Sequence, residues 1–287
     1  MKPARDPIMR GQPGSVESLY LDLLKRSLTA LDAGPTLSLI EPIGQGFLRR
    51  ALYGPVRALL NLTGLALIRR IPAAQRAEGR DWPLGGDTMI GIKRLDNLQE
   101  CIADIVQSEV PGDLLEAGVW RGGAAIFMRA ALKVHGDSGR IVWAADSFQG
   151  LPAPDPSRYP ADAGDQHHVA RALVISLDEV KANFERYGLL DEQVRFLPGW
   201  FRDTLPSAPV ERLALLRLDG DMYESTMLAL NHLYAKLECG GYVIVDDYGN
   251  ERLPACRQAV NDYRAEHHIA EPIVRIDWTG AYWKRER

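Results

Sequence analysis

Cysteine is scarce in this chain. Cys101, Cys239 and Cys256 are the only three in 287 residues, and their spacing fits neither a zinc finger nor an even-numbered disulfide framework. A reduced, intracellular and cytoplasmic setting is therefore expected. The first twenty residues have no apolar core of the kind a secretory signal needs. No uninterrupted hydrophobic run is long enough to span a membrane. The most apolar stretch, 47–70, is broken by Pro55 and Arg57, and its clean part, 58–68, falls short of the ~20 residues a span requires. Positive charge is not in excess either. A net charge of −4 and a pI near 5.9 exclude a general nucleic-acid footprint. Internal repeats and low-complexity tracts are absent. What remains is an ordinary soluble composition, 46% hydrophobic and 25% charged, enough to build a sizeable core.

Charge is unevenly spread. The first eighty residues hold twelve Lys and Arg against six Asp and Glu, a local +6 that leaves −10 for the rest. Residues 16–31 carry apolar side chains at helical spacing and read as one amphipathic helix. Two domains are expected: an N-terminal helical segment, 1–81, making oligomer or lid contacts, and a catalytic domain, 82–287. The stretch 47–70 is also a candidate for peripheral contact with a membrane surface.

From Trp82 onward strand and helix patterns alternate. Leu95, Leu98, Ile102 and Ile105 mark a helical stripe that Pro111-Gly112 ends. Strands are expected at 113–117, 140–145, 194–197, 212–218 and 241–246, and helices at 123–134, 177–187, 224–237 and 254–267. Two short strands, 273–277 and 280–284, close the chain. Ser176 and Glu179 have capping-box spacing for the helix at 177. Alternation of this length specifies an α/β fold with a mostly parallel sheet covered on both faces. The last pair is close enough to supply an antiparallel edge strand.

Acidic clusters fall at the ends of three of those strands: LLEAGVWRGG (114–123), LLRLDGDMYEST (215–226) and GGYVIVDDYGN (240–250). Carboxyl ends of parallel strands converge on one crevice, where ligands bind. Asp219, Asp246 and Asp247 would repel one another there unless a cation sits among them or one stays protonated. An all-oxygen set favours Mg²⁺, Ca²⁺ or Mn²⁺ over Zn²⁺. Asp219 and Asp221 flank Gly220, and either could face the cation. The plain alternative is helix capping, by Asp219 or Asp221 before 224–237 and by Asp247 or Asn250 before 254–267. Glu116 stands in a glycine turn that departs from the G-x-G-x-x-G fingerprint. An acid there suits an ammonium or sulfonium ligand such as S-adenosylmethionine better than a pyrophosphate. Asp146, ending the next strand, is placed to accept hydrogen bonds from ribose hydroxyls.

Weaker candidates surround these. His167-His168 lies in a Pro- and Asp-rich loop, 152–168, that could form a lid, and solvent exposure is expected for the pair. Trp200 and Phe201 could pack on an adenine or in the core, and Tyr223 and Tyr248 could shape an acceptor pocket. His267-His268 reads as a helix end favoured by the macrodipole.

Six ordered segments carry a family resemblance: TMIGIKRLDNLQ (88–99), LLEAGVWRGG, AADSFQGLP (144–152), FLPGWFRDTLP (196–206), LLRLDGDMYEST and GGYVIVDDYG. From about Trp82 to Trp283 the chain resembles the macrocin O-methyltransferase family, and 20–31 is similar to that family's N-terminal helix. The resemblance implies a class I (Rossmann-like) S-adenosylmethionine-dependent methyltransferase fold. It also implies Mg²⁺-dependent methylation of a sugar hydroxyl on a glycoside or glycosylated natural product. Asp219, Asp246 and Asp247 would then hold Mg²⁺ and Asp221 would be the catalytic base. Glu116, Gly118, Asp146 and Ser147 would hold S-adenosylmethionine, with Thr88 and Met89 at its methionine end. The expected partners are a small-molecule glycoside acceptor and a second copy of the chain as a homodimer or higher homo-oligomer, not nucleic acid. Methylation of a non-sugar, catechol-type hydroxyl is the nearest alternative. A glycosyltransferase using Asp219-Gly220-Asp221 as a D-x-D, and a non-catalytic binding module, are the readings from other classes.

Overall fold

The computed structural model describes residues 14–32, 36–39, 54–56, 59–60, 62–65, 68–251 and 254–286. Helix α1 spans Val16–Leu28, and a small antiparallel pair joins β1 (Leu37–Leu39) to β2 (Ile68–Arg70). The main sheet contains β3 (Asp113–Ala117), β4 (Val142–Asp146), β5 (Val194–Pro198), β6 (Leu213–Leu218), β7 (Leu237–Val245), β8 (Val274–Arg275) and β9 (Ala281–Lys284). Its order is β5-β4-β3-β6-β7-β9-β8. All neighbours are parallel except at β9, which pairs antiparallel with both β7 and β8. The chain winds outward from β3 through β4 to β5, then returns to β6 on the other side. That reversal puts the crevice of an open α/β sheet beyond the ends of β3 and β6.

The remaining helices are α2 (Ala73–Ala77), α3 (Ile92–Gln107), α4 (Gly123–Val134), α5 (Leu177–Arg186), α6 (Phe201–Thr204), α7 (Tyr223–Leu233) and α8 (Ala255–Glu266). One face of the sheet, with Leu114 and Ile244, packs under α1, α3, α4 and α5. The other, with Leu115, Leu216 and Val243, packs under α7 and α8. Burial on both faces explains why β6 reads as an almost unbroken apolar run, all six residues of it buried. Ser176 Oγ accepts the Glu179 amide at 3.2 Å, the cap its spacing specifies. The α2 turn, the β1–β2 pair, the short α6 and the 3₁₀ turns between 160 and 173 had no periodic signal to announce them.

Helix α1 has two apolar flanks. Leu21, Leu24 and Leu28 join the core against α3 and α4, while Val16, Leu19 and Leu23 on another flank are 60–78% exposed. Half of the membrane-surface candidate, 47–70, lies outside the described residues. Within it Leu59, Leu62 and Leu65 are exposed, and no described helix is long and apolar enough to cross a membrane.

Arg76, on α2, is fully buried. Its Nη1 donates to Asp81 Oδ1 at 2.8 Å. Its Nη2 donates to the carbonyls of Thr88, Met89 and Ile90 at 3.3, 2.9 and 2.5 Å. One guanidinium thus fixes the 88–90 loop at the mouth of the crevice. Arg76→Met would leave the Asp81 carboxylate buried without its cation, and should lower unfolding stability by about 3–5 kcal/mol. Urea unfolding of the purified variant measures it. A loss below about 1 kcal/mol, in the range of surface substitutions, would show that the loop is held by other contacts.

Candidate active site

Strand pairing extends past the strand ends and brings the acids together. The Asp219 amide donates to Ala117 O at 2.8 Å, and the Asp246 amide to Leu218 O at 2.9 Å. The first residue beyond β6 is thereby tied to β3, and the first beyond β7 to β6. One carboxylate oxygen from each of Asp219, Asp246 and Asp247 lies within 4.8 Å of the others. Helix capping does not account for them. The amides of Tyr223 and Glu224, which open α7, are taken by Asp162 Oδ1 and Oδ2 at 2.6 and 3.0 Å. The α8 terminus has no side-chain cap.

Two buried arginines lie beneath the acids. Arg217, on β6 and 2% exposed, stands opposite Glu116 in the β3–β6 register. Its Nη1 donates to Glu116 Oε1 and, at 3.0 Å, to Asp219 Oδ2. Its Nη2 donates to Asp246 Oδ1 at 2.5 Å. Arg94, on α3, donates to the other oxygen of Asp246 and, through Nε, to Asp277 Oδ2 at 2.9 Å. Neither arginine reaches Asp247, whose Oδ2 is buried without a partner.

The acids outnumber those cations. Burial and the charge of Asp246 push the Asp219 carboxyl up to about 7, against the pull of Arg217. Asp247 is raised well above the carboxylate range by burial and then by the charges of Asp221, Asp219 and Asp246. An all-oxygen donor set, an orphaned buried oxygen and uncompensated negative charge fit a hard divalent cation. Mg²⁺ belongs to that class.

Asp221 leaves the ladder. Its φ of 56° puts a non-glycine residue in the left-handed region, and the Met222 amide turns back to Gly220 O at 2.5 Å. Such strain clusters where a site over-determines the backbone. His167 faces this turn and is 6% exposed. The solvent exposure expected for the pair thus holds for His168 alone. His167 Nδ1 lies 2.9 Å from Asp165 Oδ2. Burial lowers its pKa, but the bond to Asp165 and the charges of Asp221 and Asp165 outweigh that and hold it above the ordinary value. The turn Pro160–Asp162 before it packs on α7 and α8, and the burial of His167 has no local sequence signal.

The other candidates line the same crevice. Glu116 is 1% exposed, and its Oε2 is buried without a partner. Gly118 has φ +93°, and a Cβ there would lie 1.8 Å from Asp219 O. The neighbouring turn's backbone fills the space that glycine leaves. Asp146 Oδ2 accepts the amides of Val119 at 2.7 Å and Trp120 at 3.4 Å. Asp146 Oδ1 accepts the Phe148 amide at 2.8 Å and Ser147 Oγ–H at 3.4 Å. Ser147 Oγ also donates to Gly150 O at 2.6 Å. Thr88 is buried, with Met89 beside it on the loop that Arg76 holds. Phe201 approaches the place of a Cβ on Gly220 to 3.7 Å, so it packs on the acidic turn. Tyr223 and Tyr248 hydroxyls are drawn to α8, bonding Asp262 and Asn261 at 3.0 Å each.

The macrocin O-methyltransferase family model matches residues 17–285. Mycinamicin III 3''-O-methyltransferase of Micromonospora griseorubida is 46% identical over 276 residues, covering 95% of this chain and 98% of that protein. A tetracenomycin-rhamnosyl 4'-O-methyltransferase of Streptomyces olivaceus is 55% identical over 213 residues, covering 74% of this chain and 80% of that protein. Among solved structures, the O-methyltransferase NovP superposes with a TM-score of 0.80 at 46% identity, covering 94% of this chain and all of that one. A calicheamicin methyltransferase, 18% identical with a TM-score of 0.56, covers 98% of this chain and 97% of its own and shares the fold.

Burial raises Glu116 to about 8 although Arg217 opposes the shift. A carboxyl with a raised folded pKa binds more protons folded than unfolded. Its contribution therefore falls as pH rises from about 4.5 to about 8. In EDTA-treated protein the melting temperature should decline across that window, and Glu116→Gln should make the decline shallower. Identical slopes for variant and wild type in a calorimetric pH series would show that Glu116 does not titrate there.

Proposed function

The chain belongs to the macrocin O-methyltransferase family and is an O-methyltransferase, and from that premise we propose a specific reaction. It transfers the methyl group of S-adenosylmethionine to a sugar hydroxyl of a glycosylated natural product, with Mg²⁺ in the acidic crevice. One observation carries the reading. Glu116, Asp219, Asp246 and Asp247 meet at the ends of three adjacent strands, with Asp221 on the turn beside them. Glycoside O-methyltransferases among the relatives supply the acceptor class. A glycosyltransferase using the same Asp-Gly-Asp turn is set aside by family membership.

Each residue then has a task. Glu116 Oε2 takes the ammonium of the methionine end, and Thr88 and Met89 line that end. Asp146 accepts the ribose hydroxyls in place of its two 3.4 Å contacts. Gly118 and Ser147 hold the two turns that face the cofactor. Asp219, Asp246 and Asp247 would hold Mg²⁺, which supplies the charge that acidifies the acceptor hydroxyl. Asp221 removes the hydroxyl proton as the oxygen bonds to the methyl carbon and the sulfonium carbon–sulfur bond breaks. Alignment of hydroxyl and methyl within the crevice contributes through near-attack geometry.

Residues 82–287 form the catalytic part in this reading, and 1–81 serve contacts between subunits. The exposed Val16, Leu19 and Leu23 of α1 support a homodimer, because an apolar flank of this kind gains from being covered.

S-adenosylhomocysteine should raise the melting temperature by mass action, whereas UDP-sugars and NAD should not. EDTA should abolish turnover and Mg²⁺ restore it. Asp219→Asn should weaken Mg²⁺ binding, with partial rescue by excess metal. Asp221→Asn should keep metal and cofactor affinity yet lower kcat by roughly 10²–10⁴-fold. Calorimetric Mg²⁺ titration of both variants separates the roles. Loss of metal from Asp221→Asn with normal binding by Asp219→Asn would reverse them.

A further inference from the structure

Among the described residues, Arg217 is the one side chain that bonds to acids at the ends of β3, β6 and β7. It reaches Glu116 at the end of β3, Asp219 beyond β6 and Asp246 beyond β7. A guanidinium is planar and permanently charged, with donors in a fixed fork. At 2% exposure this one has no water to turn to, so its orientation is set by how its three carboxylates share it. Glu116 has no second partner: Oε1 bonds to Arg217 and Oε2 bonds to nothing.

We propose that Arg217 is a positioning residue that couples cofactor binding to metal binding. The inference rests on the assignment of Glu116 to the cofactor and of Asp219 and Asp246 to Mg²⁺. A dication on Asp219 and Asp246 satisfies those acids and withdraws them from competition for the guanidinium. The fork then closes on Glu116 and fixes its rotamer, with Oε2 presented to the cofactor's ammonium. Ordering Glu116 beforehand removes that cost from cofactor binding. Because linkage is reciprocal, cofactor on Glu116 tightens Mg²⁺ by the same factor.

The readout is equilibrium binding, independent of turnover. In wild-type protein, the Mg²⁺ dissociation constant measured calorimetrically should fall at least about fivefold when S-adenosylhomocysteine is saturating, the lower range of allosteric coupling. Arg217→Lys keeps the charge but loses the fork, and should bring that ratio to within about twofold of unity. Glu116→Gln removes the third acid and leaves the arginine in place. Measured at S-adenosylhomocysteine concentrations that saturate the variant, it should also lose the ratio, so the test stands if Arg217→Lys fails to fold. A purely structural arginine would lower the melting temperature and both affinities while leaving the ratio unchanged, and that result overturns the inference. Mg²⁺ binding to wild type with no response to S-adenosylhomocysteine overturns it too, with the metal assignment intact. No Mg²⁺ binding by wild type at all overturns the metal assignment, and the coupling with it.

Discussion

A guanidinium buried in the middle of a parallel sheet must be surrounded by acids, because removing an ion from water costs several kcal/mol even after the protein relaxes. Arg217 meets that requirement with carboxylates at the ends of three strands, and Arg94 by sharing Asp246 and adding Asp277. The acids that compensate the arginines are also those that line the crevice. The arginines occupy these carboxylates unequally. Asp246 spends both oxygens on arginines, Asp219 spends one, and Asp247 receives neither arginine. The arginine charge that would compete with a cation therefore falls away from Asp246 through Asp219 to Asp247.

This arrangement explains what the sequence made legible. Acids after buried strands are visible because the strands are long apolar runs and the acids end them abruptly. Glu116, Asp146, Asp219, Asp246 and Asp247 were found that way, as was the alternation that produces the sheet. The partners beneath were not found. Arg94 and Arg217 lie 152 and 29 residues from Asp246, and no local spacing records such a pairing. A clue was present all the same. Arg217 interrupts Leu213–Leu218, a strand otherwise made of leucine and alanine. A charge in the middle of a two-sided buried strand requires a partner of opposite charge. Arg76 gave no such clue, since its helix is five residues long and its main acceptors are backbone carbonyls.

The loop that carries Asp162 and His167 meets the Asp219–Asp221 turn and the start of α7 at two points. Asp162 accepts the first amides of α7, a role that local spacing would have given to Asp219 or Asp221. His167 brings a positive-leaning ring to Asp221. Capping from a distant loop frees the acids on the turn for other work, and it makes the position of α7 depend on that loop. That flank of the crevice is therefore built by tertiary contacts, while strand ends build the flank that carries Glu116, Asp219, Asp246 and Asp247.

Asp219 and Asp221 are two residues apart, and extended backbone would point both side chains to the same face. The structure separates them through the backbone. Asp219 is still on the ladder, its amide bonded to Ala117 O, so its carboxylate stays level with Asp246 on the next strand. Asp221 has turned into the left-handed region, which aspartate tolerates better than most residues, and it faces His167 instead of Arg217. Burial raises its pKa, and the nearby histidine opposes that rise. Burial raises both carboxyls, so the two acids differ in their partners, Arg217 for Asp219 and His167 for Asp221. The same turn thus gives two neighbouring acids different backbone and different partners, a separation that the proposed division between metal ligand and base would use.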